Sequence, residues 1–521
     1  MTMHTSPFLR LRALSAVAIL SLAAPCAAQS RPDFNGDGYA DVAVGVPFED
    51  LLGKSNVGAV GLLYGGTAGI TAGHAQLLHQ DTTGVHETAQ QGDVFGSAVS
   101  AGDFNGDGFD DIAIGVPNES VGNVSGAGSV HVLYGSVDFI TPADNQLWHQ
   151  GKNGVASNPQ AGDQFGAALE SGDFDNDGFD DLAIGVPGER VGGLASAGAV
   201  HILYGSANGL RAAHSLFLHQ NSAGIAGAAG VGDRFGSALC AGDFNSDSFD
   251  DLAIGVPFDD PTSRPDAGDI NVLYGSVVGL TSAGNQLWHQ SLLDGPNSTE
   301  PFDRFGSEFA TGDFDGDGFA DLAVAAPNET IGGVRDNGGV SIIYGTASGL
   351  DGADAQAFAR NNPADSDLID ESPAYASAIA AGDINGDGFD ELVVGSSLFA
   401  DVENDDTPSG RIFVLRGTDL GLIGGPAFYL HEATDLPPPP DLVVSFGQVL
   451  SMSDYNDDGF ADLVIGMPGF TPPFGGGSSG AIVIMLGAPD GLEPDSGEVQ
   501  SQGSFGEQSE TGDQMGATMT R

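Results

Sequence analysis

The chain of 521 residues carries 15 basic against 71 acidic side chains, a formal net charge of −56, with an apolar fraction of 41%. That balance excludes nucleic acid and anionic membrane surfaces as partners, since both would repel the chain. Gly and Pro make up 108 residues, which in a periodic sequence signals many tight turns between short strands.

Residues 1–28 read as a secretory signal peptide. Arg10 and Arg12 form a short positive region, Ala13 to Leu22 an apolar one, and small residues follow from Ala23 to Ala28. The apolar stretch is too short to span a bilayer, so cleavage after Ala28 is expected, leaving 29–521 as one domain. Lipidation at Cys26 is the alternative, which Pro25 directly before it fits poorly. The expected locations are therefore secreted, periplasmic or cell-surface. The mature chain retains only Cys240, so no disulfide is expected and another source of stability is needed. Without Arg10 and Arg12 the chain carries 13 basic against 71 acidic residues, and so many carboxylates repel one another unless a cation intervenes.

An acidic segment recurs along the whole chain, starting at Asp33, Asp103, Asp173, Asp243, Asp313, Asp383 and Asp454, at intervals of 70 residues and once 71. Each unit opens on a Gly-Asp-x-Phe-Gly stretch (Gly92 to Gly96, Gly162 to Gly166, Gly232 to Gly236). A short apolar strand then leads into the acidic loop. An alternating run such as Leu182 to Val186 follows, closed by Pro187. A third run ends in Tyr-Gly, as in Gly198 to Gly205, and a fourth in His-Gln, as in Leu147 to Gln150. Four short strands per unit, repeated radially, make propeller blades. The predicted fold is all-β, a seven-bladed β-propeller of four-stranded blades. The first unit lacks its opening strand, and Gly512 to Arg521 supplies one at the other end. The C-terminal strand should therefore join the N-terminal blade and close the ring, leaving no open edge.

The loops follow the pattern D-x-[DN]-x-D-[GS]-[FY]-x-[DE]. Ca²⁺ takes six to eight oxygen ligands, and side chains at positions 1, 3, 5 and 9 with the backbone carbonyl at position 7 can supply them. The candidate ligands are Asp33, Asn35, Asp37, Tyr39 and Asp41 in the first loop, and Asp103, Asn105, Asp107, Phe109 and Asp111 in the second. The third has Asp173, Asp175, Asp177, Phe179 and Asp181, the fourth Asp243, Asn245, Asp247, Phe249 and Asp251. The fifth has Asp313, Asp315, Asp317, Phe319 and Asp321, the sixth Asp383, Asn385, Asp387, Phe389 and Glu391, the seventh Asp454, Asn456, Asp458, Phe460 and Asp462. Up to seven Ca²⁺ ions are expected. An EF-hand is excluded, because its bidentate acid at position 12 is here Val44, Ile114 and their equivalents. The aromatic residue at position 7 is expected to anchor the loop in the core. Three loops depart from the pattern and are ranked weaker: Ser248 replaces glycine, Glu391 replaces the last Asp, and Asp457 adds an acid after Ser453.

Phe95-Gly96 with Gly115-Val116-Pro117, Phe165-Gly166 with Gly185-Val186-Pro187, Phe235-Gly236 with Gly255-Val256-Pro257 and Phe305-Gly306 with Ala325-Ala326-Pro327, each pair flanking an acidic loop, resemble the FG-GAP repeats of the integrin α-subunit propeller. The resemblance covers nearly the whole mature chain. Ser396-Ser397 and Met515-Gly516 depart from it. It implies Ca²⁺ in the loops on one face and ligands on the opposite face, and it fits secreted bacterial-type proteins better than an integrin, since no transmembrane stretch or inserted adhesion domain is seen.

Other signals are weaker. His79, His149, His219 and His289 recur in the fourth strand, with Trp148 and Trp288 beside two of them, and are expected to pack between blades. Gly476 to Gly480 matches G-x-S-x-G but lacks the strand–turn–helix setting of a nucleophile elbow. The expected function is a non-catalytic binding or adhesion scaffold, monomeric, for an extracellular protein or glycan. An extracellular hydrolase or polysaccharide lyase with a site in the axial funnel is the alternative. Ligand specificity is expected in the least regular segments, Phe258 to Asp269, Asp401 to Gly410 and Pro437 to Asp441.

Overall fold

The structure is a computed structural model. It describes residues 31–520 except 52, 294–297, 331–336, 360–374, 398–409, 425–429, 433–444, 471–479, 494–497 and 502–513. Among the described residues, the strands form seven four-stranded antiparallel sheets, each a blade, and the innermost strands of successive blades are neighbours around a complete ring. The sequence expectation of a seven-bladed β-propeller holds.

Blade 2 shows why the repeat folds this way. Its innermost strand, Ala98–Gly102, is built of small residues, as the crowded axis demands. The second and third strands, Asp111–Val116 and Ser129–Tyr134, lie between neighbouring blades and are buried almost throughout. That double burial explains their near-continuous apolar runs. The outermost strand, Thr141–Trp148, is half solvated and mixed in character. Register follows the alternation, with Ile112 opposite Leu133 and Val130 opposite Trp148.

The FG-GAP residues form the clasp between blades. Phe165 N–H donates to Ala127 O of the preceding blade at 2.9 Å, and Gly166 N–H to Gly185 O of its own at 3.1 Å. The Gly166 carbonyl then meets the preceding blade so closely that a Cβ on Gly115 would stand 2.1 Å from it. Both glycines are thus required by close backbone approach. Between the fifth and sixth blades, where Ala325 and Ala376 replace the two glycines, the innermost strand Tyr375–Gly382 shifts register between Tyr375 and Ala378.

Ring closure occurs as expected. Thr518–Met519 pairs antiparallel with Val42–Val46, placing Met519 opposite Val44 and Thr518 opposite Gly45. Thr520 N–H donates to Ala43 O at 2.9 Å, and Thr518 Oγ1 to Gly96 O at 2.8 Å. Met519 is fully buried in a cluster that joins first-blade residues such as Val44 to last-blade residues such as Ile482. Cys240 is fully buried. The chain's other cysteine, Cys26, lies outside the described residues, as does the whole 1–28 segment. No helix among the described residues is long and apolar enough to cross a membrane.

Candidate metal centres

Six of the acidic loops join the first strand of a blade to its second, and the loop at Asp33 leads into the second strand of the first blade, so all seven open on one face of the ring. Within the first loop, Asp33 Oδ1 accepts the Gly36 and Asp37 N–H groups at 2.6 and 3.1 Å, and its Oδ2 accepts Gly38 N–H at 2.8 Å. The curl places Gly36 at φ 70° and Gly38 at φ 89°. Asn35 Oδ1 accepts Asp37 N–H, and Asp37 Oδ1 accepts Tyr39 N–H.

The ninth-position acid is the hinge of the site. Asp111 is fully buried; its Oδ2 accepts Phe104 N–H at 3.1 Å and its Oδ1 accepts Gly135 N–H at 3.0 Å. Gly135 is the glycine of the Tyr-Gly pair, which gives that recurrent dipeptide its purpose. Burial, only partly offset by these hydrogen bonds, raises Asp41, Asp251 and Asp321 to about 8 and Asp111 and Asp181 to about 9. The like charges of positions 1, 3 and 5 add to the rise.

In the third loop Asp173, Asp175 and Asp181 each bring an oxygen within 4.8 Å of the other two, and Asp313, Asp315 and Asp321 do the same in the fifth. Asp177 acts on the third group through its charge, secondary there to burial. Asn105 Oδ1 and Asp175 Oδ1, both at position 3, are buried without a hydrogen-bond partner. An all-oxygen set with unpartnered acceptors fits a hard divalent cation. The structure therefore gathers acidic groups that could hold a metal ion.

Among the departing loops, Ser248 adopts φ 73°, the left-handed conformation that favours glycine. Glu391 reaches the same place as Asp elsewhere, accepting Ile384 N–H at 3.1 Å, and its other oxygen takes the Asn385 amide at 2.9 Å. Three loops also face an arginine. Arg31 lies 2.9 Å from Asp457, Arg416 2.6 Å from Asp387 and Arg211 3.5 Å from Asp177.

Two features escaped sequence reasoning. The core anchor is the residue at position 2, not 7. Phe34, Phe104, Phe174, Phe244 and Phe314 are fully buried, whereas the position-7 ring packs half-buried over the preceding loop, with Phe109 against Gly36 and Phe179 against Gly106. Position 2 begins the loop on the inward side of the strand pleat, while position 7 has already turned out along the face. Further, the carboxylate at position 8 ties one loop to the one before. Asp110 accepts Asp33 N–H at 2.7 Å, Asp180 accepts Asp103 N–H at 2.8 Å and Asp250 accepts Asp173 N–H at 2.9 Å. With Arg31 these three acids line an axial cavity of about 340 Å³ on the loop face. The clue was the doubled Asp at positions 8 and 9.

The recurrent histidines do not converge, since His79, His149, His219 and His289 each sit at the outer-strand end of a different blade. Trp148 is buried and donates to Gln146 Oε1 at 3.1 Å. Residues 476–479 lie outside the described residues, and Gly480 leads into the strand Ala481–Met485.

Seven segments match the FG-GAP repeat, at residues 30–63, 95–133, 165–203, 235–273, 305–343, 375–415 and 446–485. The chain belongs to the FG-GAP repeat family and forms a propeller like that of integrin α subunits. It is 29% identical to integrin alpha-PS2 of Drosophila melanogaster over 272 residues, covering 50% of this chain and 17% of that one. It is 34% identical to phosphatidylinositol-glycan-specific phospholipase D of Rattus norvegicus over 161 residues, covering 31% of this chain and 18% of that one. The chain thus spans less than a fifth of the length of these two relatives. Among solved structures, rhamnogalacturonan lyase YesW matches at 14% identity and a TM-score of 0.33, over 90% of this chain and 69% of that one.

Proposed function

We propose that the chain is a secreted scaffold whose ring is held rigid by Ca²⁺, up to seven ions, one in each acidic loop, and whose ligand is an extracellular protein or glycan. Residues 1–28 act as the signal peptide and 29–521 as the propeller. The observation that carries this reading is the convergence of Asp173, Asp175 and Asp181, and of Asp313, Asp315 and Asp321, within 4.8 Å. Neutralising such groups with a divalent ion removes the repulsion that otherwise opposes folding.

The face opposite the loops suits ligand binding. There the Arg234 and Arg304 guanidinium groups lie over the Phe258 ring at 4.9 and 5.0 Å, with Phe302 exposed nearby in sequence. Aromatic and arginine side chains dominate the energetics of binding surfaces. Phe258 lies in one of the irregular segments singled out by sequence; the segments 401–409 and 437–441 are outside the described residues. The decisive experiment is elemental analysis of the purified mature protein, which should return about seven calcium ions per chain, paired with glycan-array binding with and without EDTA. Calcium at or below one per chain overturns the loop reading. Robust turnover on a panel of hydrolase and lyase substrates overturns the scaffold reading in favour of an enzyme.

A further inference from the structure

A second polar system recurs on the face opposite the acidic loops. The glutamine that follows each His of the outer strands, Gln80, Gln150, Gln220 and Gln290, is buried. Its amide donates to an acid of the next blade, 39 residues on: Gln80 to Glu119 at 2.6 Å, Gln150 to Glu189 at 2.5 Å, Gln220 to Asp259 at 2.5 Å, and Gln290 to Glu329. Beside these acids stand the aspartates of Gly-Asp-x-Phe-Gly, Asp93, Asp163, Asp233 and Asp303, all buried. In two junctions a neutral donor completes the arrangement. Gln90 Nε2 donates to Glu119 Oε1 at 3.1 Å, and Ser157 Oγ to Glu189 Oε1 at 3.0 Å.

The junction between the fourth and fifth blades differs. Glu300 stands three repeat periods after Gln90, and an ionised carboxylate has no proton to donate. Glu300, Asp303 and Glu329 each bring an oxygen within 4.8 Å of the other two. Asp303 is fully buried and its Oδ1 has no partner; Glu300 Oε2 and Gln290 Oε1 are likewise buried and unpartnered. The other Asp303 oxygen accepts the Glu300 N–H at 2.6 Å. The neighbouring arginine, Arg304, holds its guanidinium over the Phe258 ring. Three carboxylates so confined require either a cation or a shared proton.

We infer that this junction is a metal site of a second kind, formed by Glu300, Asp303 and Glu329, which takes a hard divalent cation and pins the exit of the fourth blade to the entry of the fifth. Three carboxylates and an amide oxygen are the donors such an ion prefers. The site lies on the face away from the loops, and it stands independently of the seven loop sites.

The test is calorimetric titration of chelator-stripped protein with CaCl₂, on the wild type, Glu300→Gln and the loop variant Asp173→Asn. Glu300→Gln supplies the residue found at positions 90 and 160, so the variant should fold; Glu329→Gln serves as a second probe. The expected result is one calcium equivalent fewer in Glu300→Gln and in Glu329→Gln, with the loop equivalents unaltered. Unchanged equivalents in both junction variants overturn the inference and leave the three acids sharing a proton. A loss in Asp173→Asn alone supports the loops and not the junction; a loss in the junction variants alone does the reverse.

Discussion

Removing calcium should make stability fall with rising pH. The ninth-position acids titrate near 4 in an unfolded chain, but burial raises Asp41, Asp251 and Asp321 to about 8 and Asp111 and Asp181 to about 9 in the folded one. Between those values the metal-free folded chain holds protons that the unfolded chain has released. The stability they contribute is fully present below about pH 4 and is lost as pH rises through about 8. For a single loop, moving from about pH 5 to about pH 8 costs roughly 4 kcal/mol. Five loops changing together would exceed the 5–15 kcal/mol or so that holds a typical domain, so the metal-free ring should lose its loops or unfold at the upper end. Calcium held in the loops as proposed would oppose this by binding the ionised carboxylate and displacing the proton. A site whose free ion stands a hundredfold above Kd regains about 2.7 kcal/mol. Thermal unfolding followed by circular dichroism, across this pH range in EDTA and in CaCl₂, reads both effects. The melting temperature should drop steeply with pH in EDTA and stay level in calcium. A level or rising curve in EDTA, or two superimposed curves, refutes the reasoning.

Three substitutions probe the architecture. Gly185→Ala places a Cβ 2.2 Å from the Gly236 carbonyl of the next blade and should cost about 1–3 kcal/mol in urea unfolding, as overpacking does; a neutral result would mean the clasp has slack. Ser248→Gly relieves a left-handed residue at φ 73° and should stabilise by about 1 kcal/mol, read as a higher melting temperature in calcium, whereas a fall would show that the serine side chain contributes more than its backbone strain. Met519→Ala empties a fully buried position in the closing strand, with an expected loss of roughly 2–5 kcal/mol. Because an opened ring exposes sheet edges, size-exclusion chromatography should also show association, and an unchanged monomer of unchanged stability would argue that closure is dispensable.

Much of this molecule was legible because it is written seven times. A 70-residue period, four apolar runs per period and a C-terminal segment completing the first unit sufficed to predict the blades, the loops between first and second strands, and the pairing of Thr518–Met519 with Val42–Val46. These are local patterns, and a strand or an Asp-rich turn declares itself within ten residues or so. What stayed hidden joins one blade to the next. Asp110 meets Asp33 across 77 residues, and Gln80 meets Glu119 across 39. Which of Phe34 and Tyr39 enters the core depends on the strand pleat and the turn out of it, and both read equally apolar in sequence. The Glu300, Asp303 and Glu329 group is the clearest case. Its first two members are three residues apart and the third lies 29 positions after Glu300, within the same repeat as many other acids. Only the stacking of two twisted sheets brings their oxygens together and buries Asp303 and Glu329, because burial is a property of the assembled ring and not of any one blade.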